Sequence, residues 1–432
     1  MKGHVHVSGV GGVGMNAVAQ LLIHEGYRVT GSDRFLDQGV QVPVLKTLER
    51  LGVELVPQDG SALSPSTEAL VLSTAVEADN PERIRAAELG IPERHRAEVL
   101  AEFSRSGPLI AVAGTSGKTS CTGWIGWTLE FCGQDPNVVN GGGILGWKQA
   151  GSPGNVRWSG PNRPWVVEVD ESDRSLLKFD PEIALINTIS ADHHSLEDTV
   201  QLFRDFARKV KKSIVCGPGV KVFLEGVEGI TAELLEVQDP FPVDLPGDHN
   251  AWNAAAVLKV AGVWGCLQET AERGVKSFRG IERRLELCSP EGRGPRVFDD
   301  YAHNPEKIAA AIRAVRPPDG KLTVLWRPHG FAPLQQNFEA FCRTFQKNLR
   351  AGDRLWILPV FYAGGTAPQG LNSADLVARL QKEGCGARLL EAYPEEWNGG
   401  EADVLLVMGA RDPQLPVFAA RMGKQVRSKG RT

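Results

Sequence analysis

Leu109-Ile110-Ala111-Val112-Ala113-Gly114-Thr115-Ser116-Gly117-Lys118-Thr119-Ser120 is an apolar run that breaks into a glycine-framed loop containing Gly-Lys-Thr. Five apolar residues in succession read as a buried strand of a parallel sheet. The stretch from Cys121 to Cys132 has helical spacing, so the loop joins a strand to a helix N-terminus. Backbone N–H groups of such a loop cradle phosphates, the lysine reaches the terminal phosphates, and the threonine hydroxyl can ligate Mg²⁺. Gly114, Thr115, Ser116, Gly117, Lys118, Thr119 and Ser120 therefore predict a nucleoside-triphosphate site. The full pattern has a further glycine where Val112 stands, which makes this a shortened variant.

On the C-terminal side, two more apolar strands are expected at Trp165-Val166-Val167 and Ile183-Ala184-Leu185-Ile186. The first runs directly into Glu168-Val169-Asp170-Glu171-Ser172-Asp173, and the second is followed after a loop by Asp192-His193-His194. Four carboxylates at one strand end are unfavourable without a cation or a basic partner. Parallel strands adjacent to Leu109–Ala113 would put both clusters on the sheet edge that carries the phosphate loop. A hard cation there would take carboxylate oxygens, water and phosphates. A solvated acidic loop would carry the same residues. Pro246-Gly247-Asp248-His249-Asn250-Ala251-Trp252-Asn253 then opens an alanine-rich helix, with Asn250 and Asn253 on one face. Their amides could read an adenine edge, or Asn250 could simply cap the helix.

On the N-terminal side, a strand at His4–Ser8 enters Gly9-Val10-Gly11-Gly12-Val13-Gly14, and a helix follows over Asn16–Glu25. Strands at Tyr27–Thr30 and Ala69–Ser73 continue the alternation, and Asp33 closes the first of these. The glycines let a backbone approach phosphates, and Asp33 sits near the position where a dinucleotide fold holds a ribose. A nicotinamide dehydrogenase is the natural rival reading, but it leaves the Gly-Lys-Thr loop unused.

Turn formers at Ser104–Pro108 and Pro290–Pro295 divide the chain, and beyond the second come strands at Arg296–Phe298, Thr323–Trp326, Leu355–Leu358 and Val404–Met408. Three consecutive α/β domains are expected: a Rossmann-like domain over 1–105, a P-loop domain over 106–290, and a second Rossmann-like domain over 291–432. Arg283-Arg284 precedes the last domain, where a guanidinium could clamp phosphate. Asp299-Asp300-Tyr301-Ala302-His303-Asn304-Pro305 follows its first strand, where acid and histidine could meet nucleotide or form a capped turn.

Composition sets outer bounds. The 432 residues carry 48 Lys and Arg against 52 Asp and Glu, a formal charge of −4, which argues against a protein that coats nucleic acid. Apolar residues make up 42% and charged residues 23%, as in a folded globular chain. No apolar run approaches the ~18–20 residues of a membrane span. Residues 1–15 lack a basic segment leading into an apolar one, so no secretory leader is expected. Seven scattered cysteines with no Cys-x-x-Cys pair suit a reducing compartment, and a cytoplasmic location is expected.

Taken in order, these motifs resemble the Mur ligase family nearly end to end: the glycine turn, Gly-Thr-x-Gly-Lys-Thr, Glu and Asp-His, His-Asn-x-x-Asn, Arg-Arg-Leu-Glu, and Asp-Asp-Tyr-Ala-His-Asn-Pro. The likeness is nearest to its alanine-adding members, which join L-alanine to UDP-N-acetylmuramate. Gly31-Ser32-Asp33, Ser73-Thr74-Ala75-Val76, Asp79-Asn80-Pro81-Glu82 and Arg96-Ala97-Glu98 carry it in the first domain. The resemblance implies an ATP- and Mg²⁺-dependent ligase that works through an acyl-phosphate, with a UDP-sugar carboxylate and an amine as its other substrates. Gly11, Gly12, Gly14, Asp33, Ser73 and Thr74 would hold the UDP part. Lys118 and Thr119 would serve the ATP phosphates, and Thr119, Glu168 and His193 the metal, with Lys118, Glu168 and His193 as the catalytic set. Asn250 and Asn253 would contact adenine, Arg284 phosphate, and Asp300 and His303 the nucleotide from the third domain. No nucleic acid or membrane partner is implied.

The chain departs from the alanine-adding pattern in several places. Ser116 replaces a histidine, Ser120 a threonine and Asn16 a serine, and the stretch from Cys216 to His249 is short. In Arg327-Pro328-His329-Gly330-Phe331-Ala332-Pro333, Gly330 and Pro333 stand where two arginines fix the amino acid's carboxylate. Arg327 and Arg411 are the two candidates to replace them. Otherwise the amine differs, as in murein-peptide recycling or a specialised pathway. A nucleotide-binding protein without catalysis is the alternative from another class.

Overall fold

The computed structural model describes residues 2–40, 42–148, 151–191, 195–290, 292, 294–362 and 370–429. The alternation read from the sequence becomes three α/β sheets, each predominantly parallel. By internal contacts the chain divides into two compact units: Met1–Asp244 with His249–Ile281, and Leu245–Asp248 with Glu282–Thr432.

The first unit contains two of the sheets. The N-terminal one comprises β1 (His4–Ser8), β2 (Arg28–Ser32), β3 (Glu54–Val56), β4 (Thr67–Leu72) and β5 (Glu93–His95), in the order β3-β2-β1-β4-β5 and parallel throughout. The chain runs outward from β1 to β3, then returns to β4 on the other side. The ends of β1 and β4 therefore form a topological switch point, where such sheets bind ligands.

The second sheet contains β6 (Leu109–Ala113), β7 (Asn137–Val139), β8 (Val156–Arg157), β9 (Trp165–Glu168), β10 (Ile183–Ile186), β11 (Ser213–Cys216) and β12 (Glu233–Glu236). Its order is β12-β11-β10-β6-β9-β7-β8, with only β7 and β8 antiparallel. β6 lies between β10 and β9, and Val112 is level with both Leu185 and Glu168. Every residue of β6 is buried, as a strand covered on both faces requires. Trp165, Phe203 and Phe206 fill the core beneath it with no exposed surface. Each contributes about 1.5–3 kcal/mol through burial.

The second unit holds β13 (Glu286–Leu287), β14 (Arg296–Asp300), β15 (Leu322–Trp326), β16 (Arg354–Ile357), β17 (Ala387–Leu389) and β18 (Val404–Met408). The order is β13-β14-β18-β15-β16-β17, with only β13 antiparallel. Separate apolar clusters pack on its two faces, one around Trp326 and Phe345, the other around Leu405 and Phe418.

Two buried polar clusters account for sequence features of the first unit. Asn16 accepts hydrogen bonds through Oδ1 from Gln20 (3.1 Å) and from Asn155 Nδ2 (2.7 Å), which fastens the first helix to the β8 segment. All three side chains are buried. The Asp79-Asn80-Pro81-Glu82 motif starts a helix. Asn80 caps it through Glu82 N, Pro81 suits its first turn, and Glu82 turns into the core. There its carboxylate accepts from His6 Nε2 at 2.7 Å and Ser8 Oγ at 2.5 Å, with no exposed surface. Burial pushes the Glu82 carboxyl upward, but the His6, Ser32 and Ser8 contacts together outweigh it and hold the group below the usual range.

Glu82→Ala is expected to destabilise the first unit by about 3–5 kcal/mol, because it strands buried polar partners. Denaturant unfolding monitors this, and an unchanged midpoint would show the pair to be dispensable.

No helix among the described residues is long and apolar enough to cross a membrane. The seven cysteines are free thiols.

Candidate active site

The phosphate loop leaves β6 and enters the helix Lys118–Phe131. Its conformation is held from the neighbouring strand β10. Thr115 N donates to Thr188 O at 3.0 Å, and Ser116 N donates to Thr188 Oγ1 at 2.8 Å. Thr115 Oγ1 lies 2.8 Å from Ser190 Oγ, and Asn187 Nδ2 donates to Ser116 O at 3.1 Å. Gly117 has φ +82°, and a Cβ there would come within 2.2 Å of Asn187 Nδ2. Steric space and backbone conformation both require glycine. Asn187, Thr188 and Ser190 were not singled out in the sequence. Their only local signal is that they follow an apolar strand.

Asn187 is held in turn by Asn253, whose Oδ1 accepts from it at 3.0 Å. Asn253 Nδ2 donates to Asn250 Oδ1 at 3.3 Å, and both side chains are buried on the helix Asp248–Trp264. The two asparagines expected at an adenine edge thus form one chain of amides with Asn187, leading to the phosphate loop.

Lys118 Nζ donates to Gly114 O at 2.9 Å and to both Glu171 oxygens, at 2.9 and 2.7 Å. Both side chains are largely buried. Thr119 Oγ1 donates to Glu168 Oε1 at 3.1 Å, and Gly141 N donates to Oε2 at 2.7 Å. Glu168 is the last residue of β9, next to the loop, as the strand order requires. Basic partners offset much of the remaining acidic run. Arg96 reaches Asp173 at 3.2 Å and Asp170 at 3.5 Å. Burial pushes Asp170 upward, but the Lys118 charge and the Ser172 N–H outweigh it, leaving the carboxyl below its ordinary value. Asp192, His193 and His194 lie outside the described residues. Among the described residues, no three His, Cys, Asp or Glu groups converge as a metal site.

The glycine turn sits at the switch point of the first sheet. Gly11 N donates to Asp33 Oδ2 at 2.9 Å, and Asp33 Oδ1 caps the next helix through Phe35 N. Asp33 is buried, so its carboxylate shapes the turn. Gly12 opens the first helix, and Gly14 lies against the Arg96 guanidinium, 3.2 Å from a would-be Cβ. Ser73 and Thr74 leave the end of the adjacent β4, where Ser73 Oγ accepts weakly from Ala75 N at 3.4 Å.

In the second unit, the Asp300 carboxylate accepts from Leu285 N (2.8 Å) and Ala302 N (2.7 Å). Arg284 lies over the Tyr301 ring at 5.8 Å, while Arg283 binds Asp299. His303 Nδ1 is 2.9 Å from Tyr301 O, and its ring meets His329 edge to face at 4.9 Å. Burial, His303 and the Arg411 charge push the His329 imidazole down to about 4.

His329 is thus neutral in the fold between about pH 4 and 6.5, while the unfolded chain takes up the proton. Its contribution to stability is complete above about 6.5 and is lost as the pH falls through about 4. An NMR titration of the His329 ring should give a midpoint near 4. A midpoint near 6.5 would contradict the burial argument.

Residues 4–107 match the family described as "Mur ligase family, catalytic domain", and residues 283–411 match "Mur ligase, glutamate ligase domain". The UDP-N-acetylmuramate–L-alanine ligase of Sinorhizobium medicae is 32% identical over 435 residues, covering 88% of this chain and 87% of that one. The enzyme of the same name from Rhizobium etli is 32% identical over 477 residues, covering 98% and 97%. Among solved structures, the UDP-N-acetylmuramate–alanine ligase of Thermotoga maritima aligns over 100% of both chains, with TM-score 0.79 and 23% identity. A murein peptide ligase of Psychrobacter arcticus aligns over 98% and 99%, with TM-score 0.70 and 19% identity.

Proposed function

Because the chain belongs to the Mur ligase family, we propose that it uses ATP to join L-alanine to UDP-N-acetylmuramate, a step of peptidoglycan precursor synthesis in the cytoplasm. The observation that supports this reading is the pairing of Lys118 with Glu171 and of Thr119 with Glu168 where the phosphate loop meets the end of β9. The likeness to alanine-adding relatives over most of the chain supplies the substrates.

In the proposed reaction, a carboxylate oxygen of the UDP-sugar attacks the γ-phosphorus and ADP leaves, which forms an acyl-phosphate. The amine then attacks the acyl carbon. Inorganic phosphate departs with the carboxylate oxygen, and the amine proton is lost to solvent or a base. The chain's part is positioning and charge neutralisation. Loop N–H groups and the Lys118 ammonium hold the phosphates, and Lys118 exchanges Glu171 for the nucleotide. The glycine turn with Ser73 and Thr74 receives the UDP part at the switch point of the first sheet.

Thr119 and Glu168 offer hydroxyl and carboxylate oxygens, the donor type that suits Mg²⁺. They would hold it with His193, and Mg²⁺ bound there would neutralise charge on the β- and γ-phosphates. Arg284, Asp300 and His303 are assigned to the nucleotide, Asn250 and Asn253 to its adenine end and to holding the loop through Asn187. The functional division into 1–105 for the UDP substrate, 106–290 for ATP and 291–432 for the amine belongs to the same reading.

Phosphate release from ATP and Mg²⁺ should depend jointly on UDP-N-acetylmuramate and L-alanine. Release with the sugar and a different amine would rename the acceptor. Release that ignores both carbon substrates would overturn the ligase reading.

A further inference from the structure

Three loops leave the C-terminal ends of neighbouring strands in the second unit. Asp300 of β14 and Trp326 of β15 are both level with Met408 of β18, so the loops start at one height. They carry His303, the pair Arg327 and His329, and Arg411. The segment Arg327–Pro333, which the family resemblance assigns to the acceptor, has Gly330 and Pro333 at the two expected arginine positions, which leaves Arg327 and Arg411 as the cations on the β15 and β18 loops.

Arg327 already has three partners within the unit. Nη1 pairs with the Asp412 carboxylate, Nε donates to Pro359 O at 3.0 Å, and the guanidinium covers the Phe361 ring at 5.2 Å. Asp412 is buried and also accepts from Tyr393 Oη and Gln414 N, so this cation is locked into the fold. Arg411 is exposed and makes no hydrogen bond or ion pair among the described residues. Its charge acts on the imidazole of His329, which the neighbouring β15 loop carries. It also holds φ +64°, a left-handed conformation that glycine adopts without strain and that a residue with a Cβ rarely takes. Strain of this kind at a loop tip is a reason to look for function.

We propose that Arg411, and not Arg327, anchors the carboxylate of the incoming amino acid, taking the place of the two missing guanidinium groups. The inference rests on the ligase reading and deepens it: the acceptor is an α-amino acid with a free carboxylate, held by one cation from the β18 loop. His329, neutral above about pH 4, adds no second charge to that cation.

The test compares L-alanine with L-alaninamide in steady-state kinetics for the wild type, Arg411→Gly and Arg411→Lys. Glycine suits the backbone at this position, so the Arg411→Gly variant should melt no lower than the wild type. Its KM for L-alanine should rise by about 10–100-fold, the effect of losing a charge-assisted bond. Its KM for L-alaninamide, which lacks the carboxylate, should stay the same, and Arg411→Lys should recover part of the loss. An unchanged KM for L-alanine in Arg411→Gly, or an equal rise for both amines, would overturn the assignment. Failure of the wild type to turn over either amine would instead sink the L-alanine reading on which the inference rests.

Discussion

Lys118→Ala is expected to lower ATP-dependent ligation by about 10³-fold or more, with a smaller effect on binding of the UDP-sugar. The ammonium is already at the phosphate loop, bonded to Gly114 O and to both oxygens of Glu171. A transferring phosphoryl group needs a fixed positive charge at its equatorial oxygens, and of the loop's own groups alanine leaves only the backbone N–H donors. Simple truncation also strands the buried Glu171 carboxylate, which would lower stability. The double change Lys118→Ala with Glu171→Gln removes that penalty while still removing the cation. It should fold near the wild-type midpoint and stay inactive. Initial rates of ADP formation check this, and a loss below about tenfold in the well-folded double variant would remove Lys118 from the reaction.

Glu168→Gln should lower kcat by about 10²–10³-fold and raise the Mg²⁺ concentration needed for half-maximal rate. Glutamine is nearly isosteric, so its oxygen can still accept from Thr119 Oγ1 or Gly141 N. What it loses is the negative charge beside the phosphate loop. A Mg²⁺ titration of rate separates the two roles. Lower kcat with unchanged Mg²⁺ dependence would make Glu168 a holder of Thr119 and Gly141 and not a ligand.

The parts of the site that follow one strand into one loop could be read from the chain itself. Gly114 to Ser120 is legible because strand, glycine turn and lysine are consecutive, and Glu168 because it ends an apolar strand. The adjacency of β9 and β10 to β6 is also legible, but the side-chain contacts it creates are not. Asn187, Thr188 and Ser190 matter because they leave β10 beside the phosphate loop, and no local pattern says which residues past a strand end will bond a neighbouring loop. Arg96 becomes the partner of Asp170 and Asp173 through contact across more than seventy positions. The Asn250–Asn253 pair was seen as one helix face, but which way the face points depends on Asn187. Arg327 and Arg411 could not be separated by residue type, since Asp412 and Phe361 decide which of them is locked. Short strands such as β8, β13 and β17 escaped notice because two or three residues carry no period.

Isotope transfer from the UDP-sugar tests the central claim most directly. With both carboxylate oxygens of UDP-N-acetylmuramate labelled with ¹⁸O, turnover with ATP, Mg²⁺ and L-alanine should place one labelled oxygen in each phosphate released. That oxygen is the one that attacked the γ-phosphorus and left with it when the amine displaced phosphate. Phosphate formed at the ligation rate without label would contradict the acyl-phosphate route.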